Sequence, residues 1–133
     1  MSGSGTIVST GSGAFGDLGV TWKARTEDSG GLTSPEELLA AAEASCFSMA
    51  LSHGLAQGGH APERLETSAV CSFEHVEGGF AVTKIELSVR GRVPGLDENG
   101  FREAAEGAKD GCPVSKAFAE NVAVSVSATL LEG

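Results

Sequence analysis

The stretch from Leu38 to Leu51 limits the fold most, because its only polar residues are Glu43, Ser45 and Ser48. Its start is marked by chemistry. Ser34 stands at the N-cap, Pro35 at N1 and Glu37 at N3, the pattern of a capping box, and Glu36 is favoured by the positive end of the helix dipole. The helical pattern runs to about Gln57, where Gly58-Gly59 ends it. A helix of that length spans about 35 Å. Being apolar nearly all round, it must be covered on most sides, as a central helix in a core or a dimer would be.

With 133 residues the chain is read as one domain, residues 1–133, large enough for a hydrophobic core. Nineteen glycines and no tyrosine leave few large side chains, so part of the core is expected from a partner subunit. Nine basic against eighteen acidic residues give a net charge of −9, which repels phosphate backbones and anionic membranes. Nucleic acid and membrane surfaces are therefore not expected partners. No apolar run is read as reaching the roughly 20 residues of a membrane span, and Met1-Ser2-Gly3-Ser4-Gly5-Thr6 lacks the form of a secretory signal. The expected location is cytoplasmic. Three cysteines do not make a secreted disulfide framework, and in a reducing compartment a functional pair is more often catalytic or metal-binding than structural.

Thr6-Ile7-Val8-Ser9-Thr10 and Val20-Thr21-Trp22-Lys23-Ala24-Arg25 read as strands separated by glycine turns. Gly11-Ser12-Gly13-Ala14-Phe15-Gly16 fits the dinucleotide glycine pattern literally, but a turn and strand follow it, so it is read as a hairpin. After the long helix, residues 64–76 and 80–93 alternate as a hairpin across Glu77-Gly78-Gly79. Asp97 caps a second helix, a short third helix starts at Pro113, and Val122 to Leu130 is a strand. The order implies an α+β fold with mostly antiparallel pairing.

Cys46 lies deep inside the long helix, and Cys112 stands between Gly111 and Pro113 where a helix starts. Two thiols so placed suggest a nucleophile and a second thiol that closes a disulfide onto it. A thiolate needs a positive neighbour to be reactive. Cys112 has one in the helix that Pro113 opens, whereas Cys46, mid-helix, needs an imported cation. Arg25, with Lys23 beside it, is the candidate, and Glu36 is the carboxylate that would aim its guanidinium in bidentate geometry. Glu36 and Cys46 are ten residues apart, about 15 Å along a straight helix, so they cannot meet within one subunit. A two-fold dimer is therefore expected to bring one subunit's Arg25–Glu36 pair over the other's Cys46, covering the apolar helices as well.

The run Ser34-Pro35-Glu36-Glu37-Leu38 through Ser45-Cys46-Phe47-Ser48-Met49-Ala50-Leu51 closely resembles the osmotically inducible OsmC branch of the OsmC/Ohr hydroperoxide reductases. Gly111-Cys112-Pro113-Val114-Ser115, Phe80 to Ile85 and Val93-Pro94-Gly95 match that branch too, so the resemblance covers nearly the whole chain. It implies an intertwined homodimer, with long central helices wrapped by antiparallel sheets. It also implies cysteine-based reduction of organic hydroperoxides and hydrogen peroxide in defence against oxidative stress, without haem, flavin or metal. In the resemblance Cys46 matches the peroxidatic cysteine, Cys112 the resolving one, Glu36 the glutamate of the Pro-Glu motif and Arg25 an arginine ahead of an acidic residue. The N-terminal match is the loosest, with Trp22 and Thr26 in place of the commoner phenylalanines. The implied reductant is an external dithiol, such as a lipoylated protein.

Phe47 and Met49 are candidate substrate-pocket walls, with Phe101 and Phe118 as further possibilities. Cys71 shares strand parity with Ala69 and Phe73 and is read as inward-packing, and His53, His60 and His75 lack metal-ligand spacing. Two rival readings use the same cysteines: a non-enzymatic dimer holding a zinc-like ion or other ligand through Cys46, Cys112 and a histidine, and a redox sensor whose disulfide is its signal.

Overall fold

The structure is a computed structural model that describes residues 2–132; Met1 and Gly133, the ends of the single domain expected from sequence, lie outside the described residues. The chain divides into two compact units, Met1–Leu39 and Ala40–Gly133.

In the first unit, β1 (Ser4–Ser9) and β2 (Gly16–Thr21) pair antiparallel, with Ile7 opposite Leu18. The glycine-rich segment between them is the hairpin turn expected from sequence, and Gly13 takes the positive φ of 74° that a residue without Cβ tolerates. The strand expected to continue to Arg25 stops at Thr21. Trp22–Thr26 forms a short helix, α1, because the Thr21 hydroxyl accepts a 3.0 Å hydrogen bond from the Ala24 amide and caps the turn. Local capping here outweighs the strand preference of Val20, Thr21 and Trp22.

Helix α2 (Pro35–Gln57) starts where the capping residues place it. Ser34 Oγ accepts from the Glu37 amide at 3.1 Å, but Glu37 Oε1 accepts from the Thr33 hydroxyl at 2.8 Å. The helix stops in a Schellman motif: Gly59 has φ 85°, its amide bonds to Ala56 O, and the His60 amide bonds to Leu55 O.

In the second unit, α2 buries a stripe through Ala40, Glu43, Phe47, Leu51 and Leu55, while Ala41, Ala42, Ser45 and Met49 remain exposed. Strands β3 (Arg64–Val76) and β4 (Gly79–Arg92) form the expected hairpin, with a bulge between Ser72 and Phe73. Asp97 Oδ1 caps α3 (Glu98–Gly111) by accepting from the Gly100 amide at 2.7 Å. The short α4 (Pro113–Phe118) leads into β5 (Ala123–Leu130). Pairing in this sheet is not all antiparallel, since β5 runs parallel to β4, with Leu87 opposite Val126. Two helices lie between these strands, which supplies the long crossover that parallel neighbours need.

The core closes between the sheet and two helices: Phe47, Leu51 and Leu55 of α2 and Phe101 and Ala105 of α3 meet Leu87 and Val89 of β4, with Val93 just beyond it. Both helices and both antiparallel and parallel strand pairs make this an α+β fold. Among the described residues, α2 is long and apolar enough to cross a membrane, contrary to the expectation that no run reaches that length. Its Phe47, Leu51 and Leu55 are buried core residues in this fold.

Gly91 explains how closely α3 approaches β4. A Cβ there would lie 2.5 Å from Phe101 Cζ and 2.7 Å from Cε1, and Phe101 is fully buried. Gly91→Ala is therefore expected to destabilise the protein by about 1–3 kcal/mol in urea denaturation. The loss should shrink in a Phe101→Leu background, where the ring is gone.

Candidate active site

Two constellations emerge, one in each unit. In the first, α1 and the first turn of α2 bring Arg25 and Glu36 together. Arg25 Nε donates to both Glu36 carboxylate oxygens at 3.0 and 3.1 Å, and Nη2 donates to Oε1 at 2.7 Å. The guanidinium also lies over the Trp22 ring, 5.7 Å from its centroid. Glu36 is buried while Arg25 keeps part of its surface, with side-chain exposures of 8% and 29%. The carboxylate therefore orients a cation that still presents a face outward.

In the second unit, Cys46 and Cys112 meet. Cys46 projects half-buried from α2, and Cys112 is fully buried at the junction of α3 and α4. That junction is rigid for a backbone reason. Cys112 is at once the C-cap of α3 and the N-cap of α4, its amide donating to Ala108 O at 2.9 Å and its carbonyl accepting from the Lys116 amide at 3.0 Å. Pro113 at N1 sets the new helix direction.

The Cys112 thiol and the Val114 amide both lie close enough to the Cys46 thiol to act on its ionisation. The sequence reading assigned the helix start after Pro113 to Cys112; the amide it offers is aimed at Cys46. Burial pushes the Cys46 thiol above its ordinary value, and the neighbouring Cys112 thiol and the charge of Glu43 act the same way, against the lowering effect of the Val114 amide. The net direction is upward, so the groups of this unit do not themselves make Cys46 a ready thiolate.

Glu43, which sequence reasoning left without a role, belongs to the same site. It sits one helical turn before Cys46, is fully buried, and its Oε1 accepts a hydrogen bond from Ser115 Oγ of α4. Among the described residues, its Oε2 has no hydrogen-bond partner. A lone acid inside an otherwise apolar run was the signal; its partner seventy-two positions away was not visible.

Phe47 has no exposed surface and serves the core, as does Phe101, whereas Met49 is 73% exposed on α2. Cys71 is half-buried opposite Ile85. Among the described residues, no group of three or more His, Cys, Asp and Glu side chains converges as a metal site.

A family profile described as OsmC-like protein matches residues 27–127. The chain belongs to that family. It is 45% identical over 114 residues to Peroxiredoxin OsmC of Escherichia coli (strain K12), covering 86% of this chain and 78% of that protein. The figures are the same for Peroxiredoxin OsmC of Shigella flexneri. Among solved structures, an organic hydroperoxide resistance protein OsmC from Legionella pneumophila superposes with a TM-score of 0.73 at 25% identity, over 97% of this chain and 96% of that one. An organic hydroperoxide resistance protein from Elizabethkingia anophelis reaches a TM-score of 0.76 at 21% identity, over 98% and 96% of the two chains, and supports the shared fold. The profile begins two residues after Arg25, so in this family match Cys46, Cys112 and Glu36 are covered and Arg25 is not.

The upward push on Cys46 has a measurable part that belongs to Cys112. In Cys112→Ala that contribution disappears, and the pH at which Cys46 becomes alkylated by iodoacetamide should fall relative to the parent, with Cys71→Ser used in both to remove the third thiol. Burial is the larger cause, so the fall should be only partial.

Proposed function

We propose that this protein reduces organic hydroperoxides, and hydrogen peroxide, through a Cys46 sulfenate and a Cys46–Cys112 disulfide. The observation that carries the reading is the proximity of the two free thiols, close enough for Cys112 to act on the ionisation of Cys46, one half-buried and one buried. That the chain is an enzyme, a thiol-dependent peroxidase, follows from its family and from its 45% identity to proteins named peroxiredoxin.

The Cys46 thiolate attacks one oxygen of the peroxide bond, which breaks with its electron pair leaving on the alkoxide, and a proton converts that to the alcohol. Cys46 is then a sulfenic acid. The Cys112 sulfur attacks it, forming the S–S bond and releasing water. An external dithiol then reduces the disulfide through a mixed disulfide, and a lipoylated protein is the proposed donor. The setting that keeps both thiols reduced between turnovers is a reducing, cytoplasmic one.

A reactive thiolate at Cys46 needs a cation beside it. The proposed source is Arg25 of a second copy, held by its Glu36, in a two-fold dimer in which the exposed α2 surface around Ala42, Ser45 and Met49 is covered. Two observations support this: the Cys46 thiol is held high by its own surroundings, and an apolar helix leaves one side uncovered. A guanidinium there favours both the thiolate and the negative oxygen that leaves. Met49 would line the approach of an alkyl chain.

Mixing reduced protein with cumene hydroperoxide should consume two thiols per chain, and a dithiol should restore both. Cys46→Ser is expected to abolish turnover; full peroxidase activity in that variant would sink the assignment. Arg25→Met should lower kcat/KM at neutral pH by on the order of 100-fold and recover part of the loss as the pH rises toward the thiol's own range. A uniform loss at every pH would show that Arg25 has no effect on Cys46 ionisation. Light scattering of the active protein should return the mass of a dimer, and a fully active monomer would exclude the cross-subunit arrangement.

A further inference from the structure

Glu43 poses a problem that the peroxidase reading does not answer. Its negative charge opposes ionisation of Cys46, the group that must ionise first. It is also the only acid in the apolar run from Leu38 to Leu51 and is fully buried there, where a carboxylate is costly unless its oxygens are satisfied. One oxygen accepts from Ser115 Oγ, and the other has no hydrogen-bond partner among the described residues. A group that hinders the first step and is kept in so costly a place fits a later step that needs a base.

The geometry names that step. Glu43 and Cys46 are one turn apart on α2, their Cβ atoms about 5–6 Å from each other by helix geometry. Ser115 lies on the first turn of α4, which begins immediately after Cys112, so the Glu43–Ser115 bond draws the carboxylate to the turn that carries the second thiol. Ser115 also lines a cavity of about 270 Å³ with Lys109, Lys116 and Val122. The hydroxyl thus stands between the carboxylate and a space open to solvent.

We propose that Glu43 is the proton acceptor for Cys112 when the disulfide forms, with Ser115 as its positioning residue. The inference rests on the peroxidase reading. Condensation of Cys46–SOH with Cys112–SH must remove the Cys112 proton, form the S–S bond and break the S–O bond. Glu43 Oε2, the free oxygen, takes the proton and returns it to the departing hydroxide, which leaves as water. The carboxylate ends as it began, and no further reactant is needed. Cys112 and Glu43 both act on Cys46, so the two steps can be separated by changing one of them.

Glu43→Gln keeps the shape and a hydrogen-bonding oxygen for Ser115 but removes the base and the charge. The two steps should respond with opposite signs. After mixing with cumene hydroperoxide, Cys46 sulfenate trapped by dimedone should form no more slowly than in the parent, and the pH of Cys46 alkylation should fall. Disulfide formation should slow on the order of 100-fold, and Cys46 sulfinic acid should accumulate at excess peroxide in the mass spectrum. Glu43→Asp, which keeps a carboxylate, should recover part of the disulfide rate. Loss of packing would slow both steps together and would not be rescued in this way.

Disulfide formation at the parental rate in a folded Glu43→Gln protein would overturn the proposal while leaving the peroxidase reading intact. Absence of sulfenate in the parent itself would instead overturn the peroxidase reading. Should Glu43→Gln fail to fold by circular dichroism, Ser115→Ala provides the measurement: slower disulfide formation with unchanged sulfenate formation supports the role, and an unchanged disulfide rate removes it.

Discussion

The placement of α2 against the sheet is the constraint on which the site depends. Phe47 follows Cys46 directly and is fully buried in the core with Leu51 and Leu55, so the helix cannot roll without opening that core. Successive residues on a helix point about 100° apart. Burying Phe47 and Glu43 therefore leaves Cys46 on the shoulder of the buried stripe, partly covered and partly open. The reactive sulfur is positioned by its neighbours' burial more than by any bond of its own.

The opposite wall is fixed by backbone chemistry. Cys112 serves two helices at once, and Pro113 prevents either from running through it. The consequence is an amide, that of Val114, turned toward a sulfur on another helix. The fold thus offers Cys46 a backbone donor, and burial outweighs it. A site in which burial holds the nucleophile's ionisation back depends on a nearby cation for its reactivity.

Much of this was legible from local chemistry. Ser34, Pro35 and Glu37 set the start of α2, Gly58-Gly59 its end, Asp97 the start of α3, and period-two alternation the β3–β4 hairpin. The Arg25–Glu36 contact was legible as a charge pair waiting for a fold. Misread was Trp22 to Arg25, where strand-forming residues gave way to one threonine hydroxyl. The parallel β4–β5 pairing depends on a crossover, not on any local pattern. The Val114 amide at Cys46 and the Ser115 hydroxyl at Glu43 join residues more than sixty positions apart, and spacing along a chain carries no trace of such meetings.

Unequal burial of the two sulfurs also gives the oxidised protein a direction. Cys112 is fully enclosed and pinned on both sides, whereas Cys46 keeps some accessible surface. In the proposed cycle an incoming thiolate, which must line up with the S–S axis, would meet the bond from the α2 side. The mixed disulfide would then sit on α2, and the enclosed sulfur would depart as the leaving group. Regeneration would always enter through the same door as the oxidant.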